Sequence, residues 1–90
     1  MIKNSLIETI RNVDVMDMKI LKSSLNSKVG MLELSKKINI AHKNLLFHVL
    51  KLEKAGLIIR IKNKQKVLIF LTERGNKLYY DLKDIFVFNN

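Results

Sequence analysis

The chain has 90 residues, with 17 lysines and arginines against 8 aspartates and glutamates, for a formal net charge of +9. That length fits one domain with a modest core, and an apolar content of 48% excludes a disordered, highly charged polymer. The absence of cysteine excludes a disulfide framework, thiolate metal sites and thiol redox chemistry.

Residues 1–13 carry apolar side chains at Ile2, Leu6, Ile7, Ile10 and Val13, the spacing of a helix with one apolar stripe. Either Asn4 or Ser5 can cap it, Ser5 with Glu8 as a capping box. Lys3, Asn4 and Glu8 interrupt any long apolar run, so neither a signal peptide nor a membrane span is expected. The expected location is cytoplasmic and nucleoid-associated. A second helix is expected over 14–26, with Asp14 as N-cap, Asp17 favouring the N-terminal dipole, and Met18, Leu21 and Leu25 as its inward row. Val29-Gly30 breaks the pattern before a short helix over 31–38, whose inward pair is Leu34 and Ile38. Asn39 then stands where a tight turn is needed, and asparagine tolerates the left-handed conformation.

Residues 41–56 form the stretch on which the chain turns. Leu45, Val49, Leu52 and Gly56 fall within about 40° of one another on a helical projection. Lys43, Asn44, Phe47, Lys51 and Lys54 occupy the other side, Glu53 points to the flank, and Gly56 can end the helix in the left-handed region. Two short helices joined by a tight turn, the second with an apolar stripe, form a helix-turn-helix pattern. The β-branched and aromatic stretches 57–62 and 66–71 predict two strands, joined at Lys62-Asn63-Lys64-Gln65-Lys66 with Asn63 at positive φ. This hairpin with a basic tip is a wing. A last helix is expected over 72–85, capped by Thr72, with Leu78, Leu82 and Ile85 as its stripe and Gly75 weakening its first turn.

Charge is concentrated in the middle. Residues 28–66 contain Lys28, Lys36, Lys37, Lys43, Lys51, Lys54, Arg60, Lys62, Lys64 and Lys66 against Glu33 and Glu53, which is +8 of the +9. A polyanion is the implied partner, with nucleic acid the default. The competing reading is a merely solubilising surface.

Three stretches carry a family resemblance: Glu33-Leu34-Ser35-Lys36-Lys37-Ile38-Asn39-Ile40, the run from His48 to Ile58 that includes Lys54-Ala55-Gly56-Leu57, and Leu71-Thr72-Glu73-Arg74-Gly75. In this order they resemble the winged helix-turn-helix family over residues 15 to 83. The nearest subgroups are MarR-like and ArsR-like regulators and the small dimeric winged-helix proteins of archaea and their viruses. The resemblance implies a mainly α fold with a small antiparallel hairpin (α+β), with extra helices at both ends. It also implies a recognition helix in the major groove and a wing on the minor groove or backbone. The chain departs at Ala41, where Ser or Thr usually caps the recognition helix. It also lacks the cysteines of ArsR-type metal sensing.

The expected organisation is one winged-helix domain over 1–90: N-terminal helix 1–13, helix-turn-helix and wing 14–71, and C-terminal helix and tail 72–90. The expected double-stranded DNA contacts are Lys36, Lys37, His42, Lys43, Asn44, Phe47, His48, Lys51, Lys54, Arg60, Lys62, Lys64 and Lys66. Asn44 suits adenine and Phe47 a thymine methyl, while the lysines suit guanine edges or phosphates. Phe47 packed against a core element or another subunit is the alternative. His42 and His48 lie about 120° apart on the helix with no acid or cysteine completing a set, so they are expected to bond locally or touch phosphate rather than hold a metal. Ile2, Leu6, Ile10, Leu78, Leu82, Ile85, Phe86 and Phe88 are expected to form a homodimer interface; the alternative is that the terminal helices fold onto their own domain. No catalytic constellation and no cofactor are expected, and no effector pocket is evident. The leading function is a sequence-specific transcriptional regulator. A non-specific architectural DNA-binding protein and a protein-interaction module are the alternatives.

Overall fold

A computed structural model describes residues 13–85. Four helices and three strands follow one another as α1 (Val15–Ser23), β1 (Val29–Gly30), α2 (Met31–Lys37), α3 (His42–Lys54), β2 (Ile58–Asn63), β3 (Lys66–Leu71) and α4 (Glu73–Leu82). The expected helix over 1–13, with Ile2, Leu6 and Ile10, and the ending with Phe86 and Phe88 lie outside the described residues.

Helix α1 starts as its acids dictate. The Asp17 amide donates to Asp14 Oδ1 at 2.8 Å, and the Asp14 amide donates to Asp17 Oδ2 at 3.1 Å, a reciprocal capping box. Its Met18, Ile20 and Leu21 are buried. Helices α2 and α3 end in one and the same way. Asn39 (φ 53°) and Gly56 (φ 78°) each take the left-handed conformation one residue past the cap. The next residue's amide reaches back five residues, Ile40 to the Ser35 carbonyl and Leu57 to the Leu52 carbonyl, both at 3.0 Å. This is the Schellman termination, and it closes both halves of the helix-turn-helix.

The sheet has the order β1-β3-β2, with all pairings antiparallel. The two-residue strand β1 is an addition to the expected hairpin: Val29 faces Ile69 and Gly30 faces Leu68. Two residues are too few for an alternating pattern to reveal them. At the wing tip Asn63 pairs with Lys66, so Asn63 stays on the ladder. The positive φ falls on Lys64 (58°), not on Asn63 as expected. A two-residue hairpin loop needs a left-handed residue inside the loop itself.

One core joins these elements. Leu45, Val49 and Leu52 of α3 meet Met18, Ile20 and Leu21 of α1, Leu34 of α2, Ile58 and Ile69 of the sheet, and Leu78 and Leu82 of α4. Leu78 and Leu82, expected in a dimer interface, are thus buried in the chain's own core, whereas Ile85 is 59% exposed. Burial of each aliphatic side chain in such a core contributes roughly 1.5–3 kcal/mol, and α4 has no better use for its stripe than the apolar faces of α1 and β3.

Gly75 has a positive role that its cost to helix propensity conceals. It is buried in the first turn of α4, where a Cβ would lie 2.1 Å from the Leu57 carbonyl oxygen and 2.7 Å from Leu71 Cδ1. Thr72 stitches the same joint: its hydroxyl donates to the Gly56 carbonyl at 2.7 Å and accepts from the Gly75 amide at 3.0 Å. Its own amide donates to the Leu57 carbonyl at 3.0 Å. The end of α3 and the start of α4 are therefore one junction. Gly75→Ala is expected to destabilise the fold by about 1–3 kcal/mol through overpacking, despite alanine's better helix propensity; an unchanged urea midpoint contradicts this account.

Candidate nucleic-acid interface

Helix α3 is held on three sides, and the fourth faces solvent. Its inner side is the stripe of Leu45, Val49 and Leu52, each no more than 1% exposed. On one flank, His48 and Lys51 meet the buried Asp17 of α1. His48 Nδ1 lies 2.8 Å from Asp17 Oδ1, and Lys51 Nζ lies 2.5 Å from Asp17 Oδ2. On the other flank, Glu53 Oε1 accepts from Arg60 of β2, with Nε at 3.1 Å and a terminal nitrogen at 3.0 Å.

What remains is the open face. Lys43, Phe47, Leu50 and Lys54 fall within about 60° of one another. Lys43 and Lys54 are exposed, Phe47 is 67% exposed and Leu50 44%. Asn44 is exposed one turn from His48, towards the α1 flank. Leu50 was not among the expected contacts. A leucine between two expected DNA-facing turns reads as core until the packing shows which way it points.

Several expected contacts are redirected. Lys51 does not stand on the open face; it turns towards α1 and its side chain is 34% exposed. His48 turns the same way and is 16% exposed. Arg60 is engaged by Glu53 rather than projecting with the wing tip. A helical projection gives the angle of a residue and is silent on what packs beside it, and both acids come from positions distant in sequence or from the helix's own flank. Lys36, Lys37, His42, Lys62, Lys64 and Lys66 are exposed, as the DNA-contact reading requires.

The start of α3 has no side-chain cap: Ala41 is the N-cap residue and offers none. In compensation the turn before it is tied down, with Ser35 Oγ donating to the Ile40 carbonyl at 2.6 Å. Lys36 of α2 and His42 of α3 line one open groove of about 720 Å³ with Gln65 and Lys66 of the wing tip. Gly30, Met31, Leu32, Val67 and Leu68 complete its walls with Glu33, the one acid of the lining. The helix-turn-helix and the wing therefore border a common concavity with cations on both rims.

The expectation that no acid approaches the histidines is corrected at His48. Asp14, Asp17 and His48 place three oxygen and nitrogen atoms within 4.8 Å of one another. Both Asp17 oxygens already accept donors, and a lysine ammonium sits against one of them. That donor set suits proton-donating partners better than a divalent cation. Among the described residues no helix is long and apolar enough to cross a membrane.

The two flanks differ in energy because they differ in burial. Asp17 is fully buried, and removing it leaves Lys51 and His48 facing a void. Asp17→Ala is expected to cost about 3 kcal/mol. Glu53→Ala removes a pair whose side chains are each 33% exposed and is expected to cost under about 1 kcal/mol. Chemical denaturation of both variants checks the order, which fails if the two losses are equal.

No family model matches the chain, and no curated protein matches it by sequence. Solved structures do match. The transcriptional regulator BldR from Sulfolobus solfataricus superposes with a TM-score of 0.81 at 22% identity, covering 91% of this chain and 61% of that one. A MarR-family transcriptional regulator from Rhodococcus sp. RHA1 gives 0.79 at 23% identity, covering 90% and 59%. Reduced HlyU from Vibrio cholerae N16961 gives 0.76 at 20% identity, covering 96% and 90%. The chain thus spans about three-fifths of the length of the first two and nearly all of the third. Its fold is the winged helix in the form seen in MarR-type regulators.

Proposed function

We propose that the chain is a double-stranded DNA-binding transcriptional regulator that acts as a homodimer. Helix α3 enters the major groove and the β2–β3 wing lies on the backbone or in the minor groove. The observation that carries this reading is the concave surface shared by Lys36 of α2, His42 at the start of α3 and Lys66 of the wing tip, all three exposed. The three acids at α3, Asp14 and Asp17 on one flank and its own Glu53 on the other, leave the open face its positive sign. The solved structures it resembles include proteins described as transcriptional regulators, which supports the same assignment.

The contacts divide by chemistry. Lys36, Lys37, Lys43, Lys54, Lys62, Lys64 and Lys66 supply phosphate contacts. If six of them are made, log K falls with log salt at a slope of about −5. Asn44 presents an amide that can pair with both adenine edge atoms in the major groove. Lys64 offers its charge from a left-handed backbone, a conformation that costs about 1–2 kcal/mol for a residue with a side chain. Strain of this kind is tolerated where position matters. For the dimer, Ile85 stands exposed just beyond α4, and a two-fold axis among the terminal segments sets two α3 helices about 34 Å apart, one turn of DNA.

Selection of bound duplexes from a random pool is expected to return a two-fold-related site rather than uniform retention. Lys64→Ala keeps the backbone cost and removes only the charge, so it is expected to weaken all sequences alike and to reduce the salt slope by about 0.9. Asn44→Ala is expected to relax preference at one base pair by about 1–3 kcal/mol. Equal binding to every sequence by the wild-type chain contradicts the specific reading. In sedimentation equilibrium the chain is expected to be a dimer, and Ile85→Glu is expected to shift it towards monomer.

A further inference from the structure

The open face of α3 carries an apolar pair that a purely electrostatic grip does not need. Phe47 and Leu50, three residues apart, are 67% and 44% exposed between Lys43 and Lys54. A phenyl ring on an exposed helix surface is ordinarily free to change rotamer. Here it has a wall. Its ring meets the His48 ring edge-on, with centroids 5.6 Å apart and planes at 86°, within the range of a favourable aromatic contact. His48 is itself anchored, through Nδ1 at 2.8 Å from Asp17 Oδ1. Asp17 is fully buried and belongs to α1, outside the helix-turn-helix.

We infer that Phe47, with Leu50 beside it, reads the 5-methyl group of thymine, and that Asp17 and His48 are positioning residues that hold Phe47 for this task. The inference rests on the DNA-binding reading above. The occupant of the pair follows from its surroundings: two exposed lysines border it, and Glu53, the acid of α3, is turned away to Arg60. A polyanion with apolar groups on its edge fits this pattern, and in the major groove the thymine methyl is that group. Helix α3 contains no arginine, the residue whose rigid fork makes the commonest guanine contact. Its remaining readers, an amide and an apolar pair, both suit A·T base pairs.

The test uses the full chain and a duplex recovered by selection, alongside copies in which each thymine in turn is replaced by deoxyuridine, which lacks only the methyl. One or two positions are expected to show about a fourfold loss of affinity, the size of one buried methyl or methylene group. Phe47→Ala is expected to abolish that difference while keeping the salt slope, and Leu50→Ala to reduce it. His48→Ala is expected to shrink the thymine-to-deoxyuridine ratio without touching the base itself. Asp17→Asn keeps an acceptor for His48 and is expected to retain the ratio, whereas Asp17→Ala is expected to lose it. A merely structural role for Asp17 or His48 lowers the melting temperature and leaves the ratio unmoved, so that result overturns the positioning assignment. If Asp17→Ala does not fold, His48→Ala decides alone. DNA binding with no sensitivity to deoxyuridine overturns the inference and leaves the functional reading standing; absence of DNA binding at low salt overturns both.

Discussion

A single buried carboxylate sets the rotation of helix α3. The stripe of Leu45, Val49 and Leu52 holds α3 in place, because three buried aliphatic side chains outweigh any surface ion pair. Apolar packing is weakly directional, however, and a helix can roll on such a stripe by a few tens of degrees. Asp17 removes that freedom. Its two oxygens fix His48 and Lys51, one turn of α3 apart along the flank, and its backbone and side chain also close the capping box of α1. The same group therefore starts one helix and orients another. Glu53 and Arg60 hold the other flank against β2 at lower cost and lower gain, their side chains each a third exposed. Among the described residues, one face of α3 is left open between the two flanks.

The joints of the fold follow from a few residues whose roles are local. Asn39 and Gly56 both end their helices by the same left-handed turn, and both were identifiable because few residue types accept that backbone. Asp14 and Thr72 were identifiable as caps for a similar reason: the chemistry of the cap lies within three residues of it. The apolar stripe of α3 was also legible, since its period is a property of the helix itself. Less visible were features that depend on residues far along the chain. Lys51 read as outward, and His48 as an edge residue that bonds locally or touches phosphate, because the acid that holds both lies 31 or more positions away. Strand β1 has two residues and exists only because β3 offers an edge. Gly75 read as a defect because the Leu57 carbonyl that excludes a Cβ belongs to another element. Leu78 and Leu82 read as an interface when the core had room for them.

The charge of the chain and its shape have separate causes. Lysines at the wing tip and at the end of α2 are exposed wherever the backbone leaves them, and they give attraction without orientation. On the proposed reading, orientation comes from the groove between the helix-turn-helix and the wing tip, and from the way β3, as the central strand, links that wing to α2 through β1. Lys64 joins the two: its ammonium belongs to the diffuse field, while its left-handed backbone belongs to the turn that defines the tip.

On the proposed DNA-binding reading, this division bears on how a lysine-rich interface carries sequence information. A lysine is a flexible point charge, so it registers the position of a phosphate far better than the identity of a base. Arginine would do both, but Arg60 is drawn to Glu53 and α3 has none of its own. On that reading, base recognition falls to groups that are uncharged and fixed. Asn44 is exposed on the border of the open face, and Phe47 is buttressed by a histidine that a buried acid holds still. In such an arrangement affinity and selectivity reside in different side chains. In the proposed complex, salt acts chiefly on the first, whereas a change in α1, which supplies none of the proposed base contacts, acts on the second.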